Sequence, residues 1–179
     1  MALLKIARLG HPVLLQQAAP VQDPGAADIR QLIDDMIETM HDANGAGLAA
    51  PQVYRPLRLF VYRVPAERSE GDADPPLAVQ ALINPAITPV GEARAVRIEG
   101  CLSIPGLRAA VPRFERVRYS GLDREGRAVE GEASGFLANV LQHEADHLDG
   151  ILYPMRMADM RQIGFEDEIA RNGMPGWTA

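Results

Sequence analysis

The stretch Gln142-His143-Glu144-Ala145-Asp146-His147 constrains this chain more than any other. An α-helical turn takes about 3.6 residues, so in a helix His143 and His147 stand one above the other on one face. Phe136, Val140, His143 and His147 follow one another at helical spacing, and an apolar stripe thus runs on into two imidazoles. A fold that satisfies this pattern buries the helix with its imidazole face inward. Two neutral imidazoles so placed can share one metal ion, and Glu144 can reach a water on that ion without ligating it. The plainer alternative is a core helix with two hydrogen-bonded histidines. Ser134 suits the N-cap and Gly150 the C-terminal stop.

The rest of the chain must supply what this helix packs against. Asp23-Pro24 suits the start of an amphipathic helix, and Ile29, Leu32, Ile33, Met36, Ile37 and Met40 form its apolar face. That helix should end near Asn44-Gly45. Strands are predicted over 57–64, over 79–84 up to Pro85, once or twice within 87–98, and over 107–111, 116–122 and 127–133. The last two flank the turn Asp123-Arg124-Glu125-Gly126. Residues 65–76 read as an exposed loop, Glu99 to Gly106 as a bent segment, and Asp159 to Arg171 as a last helix. No βαβ alternation occurs, which argues against a doubly wound sheet. The expectation is α+β: mostly antiparallel sheets packed around a central metal-binding helix, with an N-terminal and a C-terminal helix, in a single catalytic domain spanning residues 1–179.

The net charge of −6 and the lack of any long Lys/Arg run argue against non-specific nucleic-acid binding. No apolar stretch is long enough to span a bilayer, and Met1-Ala2-Leu3-Leu4-Lys5 does not resemble a secretory signal, so a cytoplasmic location is expected. Cys101 is the one cysteine and so cannot form an intramolecular disulfide. It is either a small buried hydrophobe or a metal ligand. A catalytic divalent ion commonly takes three protein ligands and keeps one position open. Cys101 is favoured as the third, and its thiolate suits zinc or ferrous iron better than calcium or magnesium. Glu166, further along the chain, is the competing ligand, in the manner of a zinc endopeptidase. Gly45-Ala46-Gly47-Leu48-Ala49-Ala50-Pro51-Gln52 lacks the strand before and helix after that a nucleotide-binding turn needs. It reads instead as small residues that permit close backbone approach, followed by one polar side chain, Gln52.

Taken together, Gly45 to Gln52, Glu99-Gly100-Cys101-Leu102-Ser103 and Gln142 to Gly150 resemble the peptide deformylase family, with its three motifs complete and in order. Gly10 to Leu14, the first helix, Asn84-Pro85 and Val111-Pro112-Arg113 extend the likeness over nearly the whole chain. The resemblance implies a metal-dependent hydrolase of protein biosynthesis. It would remove the N-formyl group from the N-terminal methionine of newly synthesised proteins and release formate. It implies that Cys101, His143 and His147 ligate one divalent ion, Fe(2+) in the cell, with Zn(2+), Ni(2+) or Co(2+) in purified protein. It makes Glu144 the general base and then acid, and Gln52 and the backbone N–H of Leu102 the oxyanion donors. It places Gly45, Gly47, Glu99, Gly100 and Arg108 along the substrate, and Phe136 and Val140 in the pocket for the methionine side chain. Glu99, Ser103, Gln142 and Asp146 are expected to support the ligands from behind. Arg97-Ile98 and Asn139 depart from the family pattern, which bears on side-chain preference. Some members dock on the ribosome through a basic C-terminal helix. Here Asp159, Glu166, Asp167 and Glu168 outnumber Arg161 and Arg171, so a weak ribosome contact at most is expected. The implied partner is an N-formyl-Met nascent peptide, bound by a monomer with no nucleic-acid specificity and no membrane contact.

Overall fold

The structure is a computed structural model that describes residues 2–72 and 74–174. The first amphipathic run forms α1 (Ala27–Asp42), which buries Ile29, Leu32, Ile33, Met36 and Met40. It starts later than Asp23-Pro24 suggests. The Asp23 Oδ1 accepts a hydrogen bond from the Gly25 N–H at 2.9 Å, which commits the carboxylate to a local turn instead of a cap.

The strands follow as β1 (Gly47–Ala49), β2 (Leu59–Val64), β3 (Leu77–Pro89), β4 (Arg94–Cys101), β5 (Ile104–Phe114), β6 (Arg116–Leu122) and β7 (Ala128–Ser134). Then come α2 (Gly135–Leu148), β8 (Ile163–Phe165) and α3 (Glu166–Asn172). One antiparallel sheet runs β1-β2-β3-β6-β7 and a second runs β4-β5-β8. Alternation along β2 divides the core. Leu59 and Val61 pack with α1, whereas Phe60 and Tyr62 pack with Ala138, Val140 and Leu141 of α2. The five-stranded sheet therefore carries a helix on each face. Such aliphatic and aromatic burial, at roughly 1.5–3 kcal/mol per large side chain, is what holds two imidazoles inside.

Three local predictions need correction. Pro85 does not end its strand: β3 continues to Pro89 through a register shift between Ile83 and Ala86. Asn84 takes a positive φ of 51° there, and its side chain replaces the broken ladder by accepting from the Val21 N–H and donating to the Val21 carbonyl, both at 2.9 Å. The bend at Glu99 to Gly106 is the tip of the β4–β5 hairpin, where Cys101 pairs with Ile104. The last helix divides in two. Asp159 turns the chain by accepting from the Arg161 N–H, β8 pairs with β5, and only Glu166–Asn172 is helical.

Ser134 stands at the N-cap of α2 as expected, yet the capping carboxylate belongs to Asp74. Its Oδ2 accepts from the Phe136 N–H at 2.7 Å and its Oδ1 from the Leu137 N–H at 3.2 Å. Gly135 has φ +58°, and a side chain on it would run into Asp74. The helix stops before Gly150, at φ +72°. Among the described residues no helix is long and apolar enough to cross a membrane.

Candidate active site

The hairpin tip brings Cys101 from β4 against the buried face of α2. Ligand atoms of Cys101, His143 and His147 all lie within 4.8 Å of one another. The Cys101 Sγ is 3.2 Å from the His147 Nε2. The His143 Nδ1 is 2.7 Å from the Glu99 Oε2, which leaves Nε2 as the atom that could hold an ion. Burial pushes His147 well below the ordinary histidine range and so keeps it neutral. Burial acts on His143 in the same sense, but hydrogen bonds to Cys101 and Glu99 outweigh it and raise that ring. One thiol and two imidazoles, without a carboxylate, are a donor set for a divalent transition ion. Glu166 is not among them. It pairs with Arg108 at 3.0 Å on the cavity rim, which removes the endopeptidase-like arrangement.

A chain of ion pairs backs this trio. Arg113 donates to Glu99 through Nε at 2.7 Å and Nη2 at 3.1 Å, and to Asp146 through Nη1 at 2.6 Å. Arg156 closes the far side of Asp146 at 2.7 and 3.1 Å. Burial opposes the Glu99 charge, but the hydrogen bonds from His143 and Arg113 prevail and bring its carboxyl down to about 2. Of the four expected supports, Glu99 alone bonds an imidazole. Ser103 addresses the thiol, its N–H reaching the Cys101 Sγ at 3.4 Å. Gln142 bolts α2 to β5 through the Phe114 N–H at 3.0 Å and carbonyl at 2.9 Å. Asp146 anchors the arginines.

In front of the trio opens a cavity of about 860 Å³. Gly45, Gly47, Gln52, Glu99, Gly100, Cys101, Leu102, Arg108, Phe136, Val140, His143 and Glu144 all line it, while His147 lies beneath. Burial pushes the Glu144 carboxyl up to about 7, and its Oε2 has no hydrogen-bond partner among the described residues. Gly47 makes its position attainable, since any Cβ there would collide with the Glu144 carboxylate. Gly100 likewise leaves room for the Arg108 guanidinium. The Gln52 amide has a set orientation. Its Oε1 accepts from the Ala49 N–H at 2.8 Å, so Nε2 faces the Ser103 Oγ at 3.1 Å and the Cys101 Sγ at 3.4 Å.

Against this geometry, the polypeptide deformylase family model matches residues 3–162. The chain belongs to the polypeptide deformylase family. It is 44% identical to peptide deformylase 1 of Nitrosomonas europaea over 97% of this chain and 96% of that one. It is 46% identical to peptide deformylase 2 of Ralstonia nicotianae over 90% and 91% of the two chains. Among solved structures, a deformylase from Ehrlichia chaffeensis in complex with actinonin superposes with a TM-score of 0.81 at 34% identity, covering 89% of this chain and 91% of that one. A class I type b deformylase from Acinetobacter baumannii bound to Met-Ala-Ser gives 0.80 at 36%, covering 87% and 99%. The chain is accordingly a hydrolase that removes the N-formyl group from formyl-methionyl peptides.

Several deformylase residues escaped sequence reasoning as parts of the site. Arg113 stood out only as part of a family-like segment, although an arginine two residues beyond Val111 falls on the same inward face of its strand, which is a usable sign of a buried ion pair. Asp74 lies in a polar loop with no local hint that it caps a helix far along the chain. Arg156 and Tyr153, whose ring stacks on His143 at 6.1 Å, carried no signal either.

Proposed function

We propose that deformylation takes place at Cys101, His143 and His147, with Glu144 moving the proton. Glu144 carries the reading: it is a buried carboxylate whose Oε2 has no hydrogen-bond partner among the described residues, in a position left open by the missing side chain of Gly47. A divalent ion at the trio supplies Lewis acidity that brings the pKa of water toward neutrality. Ferrous iron is the ion proposed for the cell, and zinc, nickel and cobalt suit the same donors.

The chain's own residues do the remaining work. Water adds to the formyl carbon as Glu144 takes one of its protons; the carbon–nitrogen bond then breaks, formate leaves, and Glu144 returns the proton to the amine nitrogen. A carboxyl near 7 suits both halves of that exchange. Negative charge grows on the formyl oxygen. Gln52 Nε2, aimed by the Ala49 N–H behind it, and the Leu102 N–H are the proposed donors to that oxygen. Losing one such donor commonly costs about 3–4 kcal/mol of barrier. Gly45, Gly47, Glu99, Gly100 and Arg108 would flank the peptide, and Phe136 and Val140 would receive the first side chain. The Met-Ala-Ser bound to the Acinetobacter relative supports a short methionyl peptide as occupant.

Formate release from formyl-Met-Ala-Ser by anaerobically prepared, iron-loaded protein tests this reading. Glu144→Gln should keep its metal content and lose turnover by at least about a hundredfold. Retained turnover in that variant would remove Glu144 from the proton path.

A further inference from the structure

We propose that Arg68 is a specificity-determining residue, the outer wall of the pocket for the first side chain, and that Arg97 is the positioning residue that keeps it there. The inference rests on the active-site reading above, in which Phe136 and Val140 receive that side chain. Pro65, Glu67 and Arg68 line the same cavity as Phe136 and Val140. The Arg68 guanidinium carbon lies over the Phe136 ring, 5.4 Å from its centroid. A guanidinium is attracted to an aromatic face, and the arginine stem adds apolar cover beside it. Arg68 is itself exposed. It therefore bounds the pocket from the solvent side, with a side chain that the core does not need.

An exposed arginine makes a wall only if its loop is held. Arg68 ends a single 3-10 turn, Ala66–Arg68, which follows β2 after Pro65. Phe60 and Tyr62 pack β2 against α2, so the turn starts from a fixed place. Beyond Arg68 the chain is tied twice more. Glu70 accepts from Arg97 of β4 with both carboxylate oxygens, Oε1 from Nη1 and Oε2 from Nη2, the latter at 2.9 Å. Such a two-pronged pair fixes direction as well as distance. Asp74 caps α2 at Phe136, and its carbonyl accepts from the Ser69 Oγ at 2.8 Å. Arg97 is one of the positions where the sequence departs from the family pattern. Its neighbours Ile98 and Glu99 line the cavity, whereas its guanidinium is spent on Glu70. A first side chain of methionine length fits inside this wall. A longer one has to push Arg68 off the Phe136 ring, so the wall limits length by steric exclusion.

Arg68→Ala and Arg97→Met test this. Let kcat/KM be measured, with iron-loaded protein prepared anaerobically, for formyl-norleucine-Ala-Ser and for formyl-2-aminooctanoyl-Ala-Ser, whose first side chain is two methylenes longer. Arg68→Ala should keep its rate on the norleucine peptide to within about threefold, and its ratio of long to short substrate should rise about fivefold. That is less than the tenfold or more that a well-fitted methylene is worth, because the opened edge is wet. Arg97→Met should raise the ratio in the same direction, and adding it to Arg68→Ala should change the ratio by less than about twofold. A general loss of fold or of metal lowers both substrates together and leaves the ratio unmoved. A ratio within about twofold of wild type in Arg68→Ala overturns the wall, and the same result in Arg97→Met overturns the positioning role. Two further results concern the reading beneath the proposal. Failure of the wild type to release formate from formyl-Met-Ala-Ser would strike at the active-site assignment. A Phe136→Ala variant with an unchanged preference for norleucine over alanine as first residue would remove the pocket assignment, and the proposal with it.

Discussion

Two sets of arginine–carboxylate pairs border the active site, one behind it and one at its mouth, and burial separates them. Arg113 and Glu99 show 5% and 1% of their side chains to solvent, whereas Arg108 and Glu166 show 33% and 59%. Both pairs have short contacts, so distance alone would rank them together. Their consequences differ. The rear pair has left water, so each charge depends on its partner, and Glu99 passes that constraint on to His143. The mouth pair remains hydrated, and screening reduces its attraction to about 0–1 kcal/mol. One buries a fixed geometry behind an imidazole of the cluster that could hold a metal ion; the other is an adjustable edge.

The largest effect should come from the rear. Arg113→Met leaves Glu99 and Asp146 buried without their shared cation, a defect that costs about 3–5 kcal/mol. Denaturant unfolding of the metal-free protein measures it. Glu99 would also lose the anchor that orients it against His143, and metal affinity should fall about 10–100-fold. A variant as stable as wild type would show that the two arginine pairs do not differ in kind.

Acid should expose the same pair by another route. The Glu99 carboxyl titrates at about 2 in the folded protein, below the ordinary glutamate value of about 4.3 in an unfolded chain. A group lowered by folding contributes stability above its unfolded pKa, and that contribution is lost as pH falls through the folded value. The melting-temperature gap between wild type and Glu99→Gln, both metal-free, should therefore narrow as pH falls from about 5 toward 2. A gap that stays constant across that window would mean that the charge of Glu99 does not stabilise the fold.

Asp74 holds an intermediate place, as a buried carboxylate whose partners are backbone N–H groups. Asp74→Ala should cost about 1 kcal/mol, within the range for a lost N-cap, as read by thermal or denaturant unfolding. Its effect should fall on the start of α2, where Phe136 lines the cavity, and metal content should not change. Loss of metal in this variant would couple the two ends of α2 more tightly than a cap alone explains.

What the sequence made legible follows the range of the physics behind it. His143, Glu144 and His147 were visible because a helix places residues four apart on one face, a relation contained in a few residues. Cys101 was reachable by elimination and by the family motif around it. The β6–β7 hairpin was visible because its turn and strands are contiguous. Asp74, by contrast, caps a helix some sixty residues later, and Arg113 joins Glu99 and Asp146 from a different element. Long-range polar pairings of this sort have no periodicity to betray them. Pro85 misled for the opposite reason. A proline ordinarily punctuates a strand, and here the Asn84 side chain bonds to Val21 in place of the ladder, so that the strand continues.

The smallest effect is expected at the mouth, and it also separates two ways of building the metal centre. Glu166 has a spacing from His147 that a zinc endopeptidase could use, yet its carboxylate is engaged by Arg108. Cys101, not Glu166, stands with the imidazoles in the cluster that could hold a metal ion. Glu166→Ala should therefore keep full metal content and shift stability by less than about 1 kcal/mol, since an exposed pair is all that is removed. Cys101→Ala should lose the metal under the same purification. Metal analysis of both variants side by side reads this directly. If Glu166→Ala were the one that came out empty, the hydrated pair at the mouth would be doing the work ascribed to the buried thiol, and the contrast between rear and mouth would have to be reversed.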